Sequence, residues 1–552
     1  MRALFDQGTK CLIVQPQFSA FSFWNYVDVC KIVNAKYPAA PLGLMTVAAL
    51  LPQHWALKLV DANVEPLLDE HFEWADIVCT GGMLSQQQSV LAVIDKAHEF
   101  GCRVVVGGPD PSSQPQLYAS ADYLVQGEGE LTIPMFIEDL LGGATSGAYH
   151  SPEKPDMAQA VVPRYDLIRF KDYIQVGVQY SRGCPFNCEF CDIIELYGRK
   201  QRTKSVEQVL KELQGLYDLG YRGHIDFVDD NFVANKRKVK KLLGAIREWS
   251  EAHGYPFYFS TEASIEFTDD DELLRMMQAV DFRYVFVGVE TPEDEILRQT
   301  HKTQNINRDL GGSIRKIYAH GMIVNGGFIL GFDNETDRTA EKMIRCIQDS
   351  GICMAMLGTL FALPNTQLTR RLRREGRLFE DSSRQRDNGT EVDQMTSGLN
   401  FATARPRSKI LKDYVRVLEY LYDPKRYYER IAYTALHLKR RNKYRPSVGR
   451  MLNSARAFLR LCGITGFNRT TGPLFWKLLL TVLFRNPRAA ESAVNLAAMF
   501  IHFEKQCKFI VENTARRLAH IQEHGEELGG RTMCEGAHNT CPADELVLTT
   551  AD

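Results

Sequence analysis

Short apolar, β-branched runs recur through the first quarter of the chain: CLIVQP (11–16), ALKLVDA (56–62), DIVCTGG (76–82), RVVVGGP (103–109) and DYLVQG (122–127). Most end in Gly, Pro or Asp, and helical periodicity fills intervening stretches such as SVLAVIDKAHEF (89–100). Strands alternating with helices predict an α/β domain over residues 1–145, a doubly wound Rossmann sheet covered on both faces. Ligands of such sheets lie in the crevice beyond the carboxyl ends of the strands. Gly81, Gly82, Gly107, Gly108 and Gly127 fall there. A tight turn explains any one glycine pair equally well, but three clusters at successive strand ends point to a ligand crevice.

Residues 146–168 are Pro-rich, Ala-rich and polar without periodicity, which predicts a linker. A second alternation fills 169–375, with six strand-like runs: IQVGVQYS (174–181), HIDFVDD (224–230), FYFSTEA (257–263), YVFVGVE (284–290), NGGFILGF (325–332) and AMLGTLFAL (355–363). The helical stretches between them close on Gly, which suits a helix C-terminus. Six βα units predict a partial (βα)6 barrel of the TIM type, with its chemistry at the C-terminal ends of the strands. From 376 to 521 the pattern is helical and basic. From 522 to 552 it has no periodicity, which predicts a disordered tail whose Cys534 and Cys541 are incidental.

The 552 residues balance 66 Lys+Arg against 68 Asp+Glu, a net charge of −2, with 45% apolar residues. That content supports several cores, and the neutral total argues against a protein organised around nucleic acid. Thirteen cysteines, an odd number thinly spread, make no disulfide framework. The N-terminus lacks the apolar core of a secretory signal. The most apolar run, Leu474 to Phe484, is short and contains Lys477, so no membrane span is expected. These features predict a reducing, cytoplasmic setting in which clustered cysteines hold metal.

One cluster stands out. Cys184, Cys188 and Cys191, spaced C-x3-C-x2-C, follow the first strand of the barrel block. Structural zinc takes four ligands, commonly two CxxC pairs, and no second pair lies nearby. Three thiolates suit an iron–sulfur cubane with one iron left open. Zinc with a distant fourth ligand and three ordinary loop cysteines are the other readings of the residues alone.

This motif, with Phe190 before its last cysteine and at the head of six βα units, resembles the radical S-adenosylmethionine (radical SAM) superfamily. The resemblance implies that the three cysteines hold a [4Fe–4S] cluster. The open iron chelates SAM, and reductive cleavage yields a 5′-deoxyadenosyl radical. It also implies that Phe190 lies against the SAM adenine, and that Asp229 and Asp230 receive the methionyl amine. That Asp229-Asp230-Asn231 segment departs from the family's usual Gly-Gly-Glu. Glu262, Gly288, Glu290, Gly327 and Leu330 match further strand-end positions used for ribose and adenine contacts.

A Rossmann domain ahead of the barrel resembles the cobalamin-binding subclass. VQYSRGCPFNCEFCDIIELYGR, FVDDNF, GVETP, GGFILGF and YDPKRYYER resemble the group that contains the hopanoid C-2 methylase. The likeness spans roughly residues 10–510. It implies cobalamin as a third cofactor, a C-methyl transfer to an unactivated carbon of a lipid-like or other small molecule, and an electron donor such as flavodoxin or ferredoxin. The string Asp69-Glu70-His71-Phe72-Glu73-Trp74 lacks the Gly of the cobalt-ligating Asp-x-His-x-x-Gly motif, so no lower His ligand is expected from it. Lys439, Arg440, Arg441, Lys443, Arg445, Arg450, Arg456 and Arg460 border the apolar segments 457–461 and 474–484, a pattern expected at the inner face of a membrane. Packing of those apolar faces on the barrel is the competing expectation. Competing functions are a radical SAM enzyme without methyl transfer, a non-catalytic iron–sulfur protein, and an RNA-modifying enzyme, which would be expected to carry an RNA-binding barrel.

Overall fold

A computed structural model describes residues 8–19, 22, 25–379 and 395–525 of the chain. The disordered tail expected from 522 therefore falls largely outside the described residues, as do Cys534 and Cys541. Up to His524 the chain is helical.

The first seven strands are β1 (Lys10–Gln15), β2 (Tyr37–Ala39), β3 (Ala56–Asp61), β4 (Ile77–Gly81), β5 (Arg103–Gly107), β6 (Tyr123–Val125) and β7 (Gly147–Tyr149). All but β2 build one parallel sheet in the order β3-β1-β4-β5-β6-β7. Cys11, Leu12, Ile13 and Val14 are all fully buried, as expected where helices cover both faces of the sheet. The strand order reverses between β1 and β4, the place where such sheets open a crevice.

Two expectations need correction. The stretch read as a linker contains β7, which pairs with β6 and extends the first sheet. Its three residues are too few to carry a strand pattern, and Tyr149 holds the edge by packing on Phe136, with ring centroids 5.9 Å apart. The first 145 residues are also not a self-contained Rossmann unit, because β2 leaves that sheet and pairs with the barrel.

The second sheet contains β8 (Tyr173–Val178). A two-residue antiparallel ribbon, β9 (Ser181–Arg182) with β10 (Arg202–Thr203), closes the base of the cysteine loop. The sheet continues with β11 (Gly223–Phe227), β12 (Phe257–Glu262), β13 (Phe282–Glu290), β14 (Ile323–Leu330) and β15 (Met354–Thr359). The six predicted strands are all present, and β2 adds a seventh beside β8 in the order β15-β14-β13-β12-β11-β8-β2. Period-two alternation turns His224 and Asp226 of β11, and Tyr258, Ser260 and Glu262 of β12, into the lumen. The alternate residues Ile225, Phe227 and Phe259 are fully buried on the helix side.

The C-terminal region is helical over Arg407–Leu421, Pro424–His437, Val448–Leu461, Gly472–Arg485 and Ala490–His524. Its last helix has 35 residues and packs beside Val27–Val33 and Arg407–Leu421. No helix among the described residues is long and apolar enough to cross a membrane.

Candidate active site

The carboxyl end of the first sheet and the lumen of the second face one cavity of about 1650 Å³. Gln15, Gly81, Gly82, Gly107, Gly108 and Gly127 line it from the first sheet. Gln175, Asp226, Ser260 and Glu262 line it from the second. The five predicted crevice glycines thus converge on one rim. A Cβ on Gly81 would stand 2.0 Å from the Gly107 carbonyl oxygen, so bare backbone is required where β4 and β5 end side by side. His71 lies away from this rim on the short helix Asp69–Trp74, its Nδ1 accepting from the Leu68 N–H at 3.1 Å.

The cysteine loop begins at Gly183, whose φ of +88° and close approach to the Lys200 and Gly198 carbonyls leave no room for a side chain. Cys184 N–H donates to the Gly198 carbonyl at 3.2 Å, and Cys191 N–H to that of Cys188 at 3.2 Å. Glu189 is clamped from outside by two Arg371 hydrogen bonds of 3.0 and 2.9 Å. Two amide groups point at thiol sulfur: Asn231 Nδ2 lies 4.0 Å from Cys184 Sγ, and Gln304 Nε2 lies 3.8 Å from Cys188 Sγ. Burial raises all three thiols above their ordinary value, Cys191 most, while the nearby Lys302 ammonium pulls them down. Among the described residues no three His, Cys, Asp or Glu side chains converge as they would about a single ion.

Lys302 links several predicted positions. Its Nζ bonds Glu290 Oε1 at 2.7 Å and sits 6.0 Å from the centre of the Phe190 ring. Despite burial, Glu290 and Cys188 hold the Lys302 ammonium protonated. Asn305 donates to the carbonyls of Gly288 and Val289 at 3.0 and 3.1 Å and fixes that turn. Gly288 faces Gly327 across β13 and β14, and Phe190 packs on Phe332 at 5.8 Å. Lys302, Gln304 and Asn305 were not singled out from the sequence, because they come from a loop without a motif.

The remaining predicted positions divide. Asp229 accepts from Tyr180 N–H at 3.2 Å and from Ser181 Oγ at 2.5 Å, so its carboxylate anchors the entry to the cysteine loop. Asp230 accepts from Gly183 N–H at 2.7 Å. Leu330 is fully buried in the barrel core and does not line the cavity. Glu262 does line it. Burial and the neighbouring Asp226, Asp230 and Asp229 raise its carboxyl to about 8, and burial raises Asp229 to about 7 and Asp230 to about 6. Asp226 and Glu262 thus line the cavity, with the Asp229 and Asp230 carboxyls close enough to Glu262 to raise it. Below them runs a hydrogen-bonded row: Gln175 to Asp226 at 3.2 Å, Ser260 to Asp226 at 2.5 Å, and Ser260 to His224 at 2.7 Å. Burial, with Arg283 and Arg450 nearby, lowers His224 to about 3 and keeps it neutral.

Known proteins resemble the chain in the same order. The B12 binding domain family matches residues 30–137, the radical SAM superfamily residues 178–347, and a domain of unknown function (DUF4070) residues 366–516. An uncharacterized methyltransferase of Synechocystis sp. is 39% identical over 515 residues, 92% of this chain and 94% of that protein. The hopanoid C-2 methylase of Rhodopseudomonas palustris is 33% identical over 487 residues, 86% of this chain and 90% of that one. The structure of the cobalamin-dependent S-adenosylmethionine radical enzyme OxsB, with aqua-cobalamin and S-adenosylmethionine bound, shares the fold. Its TM-score is 0.56 at 15% identity, over 93% of this chain and 84% of that one.

Proposed function

The chain belongs to the B12-binding radical SAM methyltransferases, and from that premise we propose that it methylates an unactivated carbon of a lipid-like, hopanoid-type substrate. The enzyme uses a [4Fe–4S] cluster, SAM and cobalamin. When bound, these supply a carbon-centred radical oxidant and a transferable methyl group, which an unactivated carbon needs because it has no lone pair to attack a sulfonium.

Cys184, Cys188 and Cys191 would hold the cluster. The amides of Asn231 and Gln304 and the charge of Lys302 suit a thiolate-bound, anionic centre. Asp226, Asp230 and Glu262 would face the sulfonium and amine of SAM, because a cation favours the ionised carboxylates that burial disfavours. Gly81, Gly82, Gly107, Gly108 and Gly127 would form the cobalamin floor, where missing side chains leave a flat backbone surface. Arg182 orients the two halves by bonding Glu128 and Glu130 beside the cysteine loop.

The observation that carries this reading is the single cavity shared by the carboxyl end of the first sheet and the lumen of the second. Its walls are mostly apolar, with Phe18, Leu44, Met354, Met356, Phe458 and Met499 among them. An apolar cavity of this size takes a bulky hydrocarbon beside large cofactors, and the row from Gln175 to His224 offers a polar end its hydrogen bonds.

The test is anaerobic reconstitution with iron, sulfide and cobalamin, followed by reduction in the presence of SAM and a hopanoid extract. A methylated lipid formed with matching amounts of S-adenosylhomocysteine and 5′-deoxyadenosine supports the proposal. 5′-Deoxyadenosine alone, with every lipid fraction unmethylated, overturns it.

A further inference from the structure

Between Glu429 and Glu491 the chain contains no Asp or Glu, while Lys439 to Arg488 carries twelve Lys and Arg residues. Some of these cations are used internally: Arg440 is buried with its Nη2 on Ser492 Oγ at 2.7 Å, and Lys443 bonds the Tyr255 hydroxyl at 2.7 Å. Arg456, Arg469, Lys477 and Arg485 are exposed.

Large apolar side chains are exposed among them. Helix Val448–Leu461 presents Val448, Leu452 and Leu459, and the turn after it presents Phe467, which is 82% exposed. Helix Gly472–Arg485 presents Trp476, Leu480, Leu483 and Phe484 at i, i+4, i+7 and i+8, one stripe, with Phe484 86% exposed. Trp476 Nε1 donates to the Gly466 carbonyl at 3.0 Å and ties the two helices into one surface. Soluble surfaces rarely expose so many large apolar groups together. Their interleaving with cations and the absence of acids match the acyl boundary and headgroups of an anionic bilayer.

The same helix walls the cavity. Ser454, Ala457, Phe458 and Leu461 line it, while Leu452 and Leu459 face outward, and Met451 is both half-exposed and part of the lining. We infer that helices Val448–Leu461 and Gly472–Arg485 are the face on which the enzyme lies against an anionic lipid bilayer, and that its substrate passes from the bilayer along helix Val448–Leu461 into the cavity. The entry path rests on the lipid-substrate reading above; the docking face does not. Nucleic acid would be drawn by the arginines, but leaves Leu452, Leu459, Leu480 and Phe484 without a partner.

The test is sedimentation of the full chain with vesicles of phosphatidylcholine, with and without phosphatidylglycerol. Binding is expected only to the anionic vesicles and should weaken with salt. Arg456→Gln/Arg469→Gln/Lys477→Gln/Arg485→Gln, and separately Leu452→Ser/Leu480→Ser/Phe484→Ser, should each lower it about tenfold or more. All seven side chains are exposed, so thermal melting and reductive SAM cleavage should be unchanged in both variants. Failure to bind anionic vesicles, binding indifferent to the apolar substitutions, or preference for RNA over vesicles overturns the docking face. Methyl transfer to substrate in detergent micelles separates the two ideas. If the apolar variant methylates micellar substrate normally but loses vesicle-borne substrate, lateral entry stands. Equal activity of variant and parent on vesicles sinks the entry path, and inactivity of the parent in micelles counts against the lipid reading alone.

Discussion

Arg182 meets Glu130 through two parallel hydrogen bonds of 2.8 and 2.9 Å, one residue before the cysteine loop begins. Arg182 also reaches Glu128 at 2.8 Å, and Arg202 closes on Glu128 at 2.7 Å, so four side chains fasten the loop after β6 to the ribbon of β9 and β10. The Arg182 and Glu130 side chains are only 11% and 4% exposed, which makes this a buried junction rather than a surface pair. The spacing between the glycine rim and the cysteine loop is set here.

Arg182→Gln leaves Glu130 without its fork and should cost about 3 kcal/mol, the scale for breaking a buried pair. Burial opposes ionisation of Glu130, yet the guanidinium holds its carboxyl below the ordinary value. The stability this pair contributes is therefore present above the ordinary Glu pKa of about 4.3 and is lost as pH falls below it. Urea denaturation against pH should show that acid-side decline in the parent and a shallower one in the variant.

Cys184→Ala, Cys188→Ala and Cys191→Ala should each abolish reductive SAM cleavage with the circular dichroism spectrum unchanged. Because burial raises the three thiols, and iron takes thiolate, cluster assembly should also release protons and run more completely at pH 9 than at pH 7. Iron counts after reconstitution at the two pH values check this. An active triple-alanine protein would remove the basis of the assignment.

Glu262, raised to about 8, is largely protonated at pH 7 before SAM arrives. A cation that binds its ionised form should release up to one proton and bind more tightly as pH rises from 6 to 8. Calorimetry of SAM binding in two buffers of different ionisation enthalpy measures that proton. Glu262→Gln should abolish the release and weaken binding about tenfold, the cost of one charged contact.

At the other end of the cavity, Gly82→Val should separate the cofactors. A Cβ on Gly82 already stands 2.9 Å from Gln86 Cβ, and the two valine methyls would extend over the crevice floor. Cobalt content should fall at least tenfold while iron content is kept. Retention of cobalt at the parent's level would show that the glycine rim is not the cobalamin floor.

What could be read from the chain follows from how far each signal extends along it. The six barrel strands were legible because each is an apolar run of five to nine residues between helical periods. Strands β2 and β7 are three residues each, and their pairing depends on neighbours distant in sequence. The cysteine motif was legible because its ligands are contiguous. Gln304 reaches Cys188 across 116 residues, and no local pattern announces such an approach. Asp229 illustrates a different limit: its place at a strand end is visible in the sequence, but its bonds to Tyr180 and Ser181 depend on how β8 and β11 lie side by side.

The crossing of β2 into the second sheet gives the chain an order of assembly. Tyr37 and Ala39 pair with Tyr173 and Gln175, so a segment synthesised early waits for a strand more than a hundred residues downstream. The first sheet cannot be completed around β1 and β3 without looping out this segment, and the barrel edge stays open until the loop is captured. The two halves are therefore interlocked like links of a chain rather than strung like beads. Cutting the backbone between residues 146 and 168 should leave them together, and neither half expressed alone inherits a finished edge.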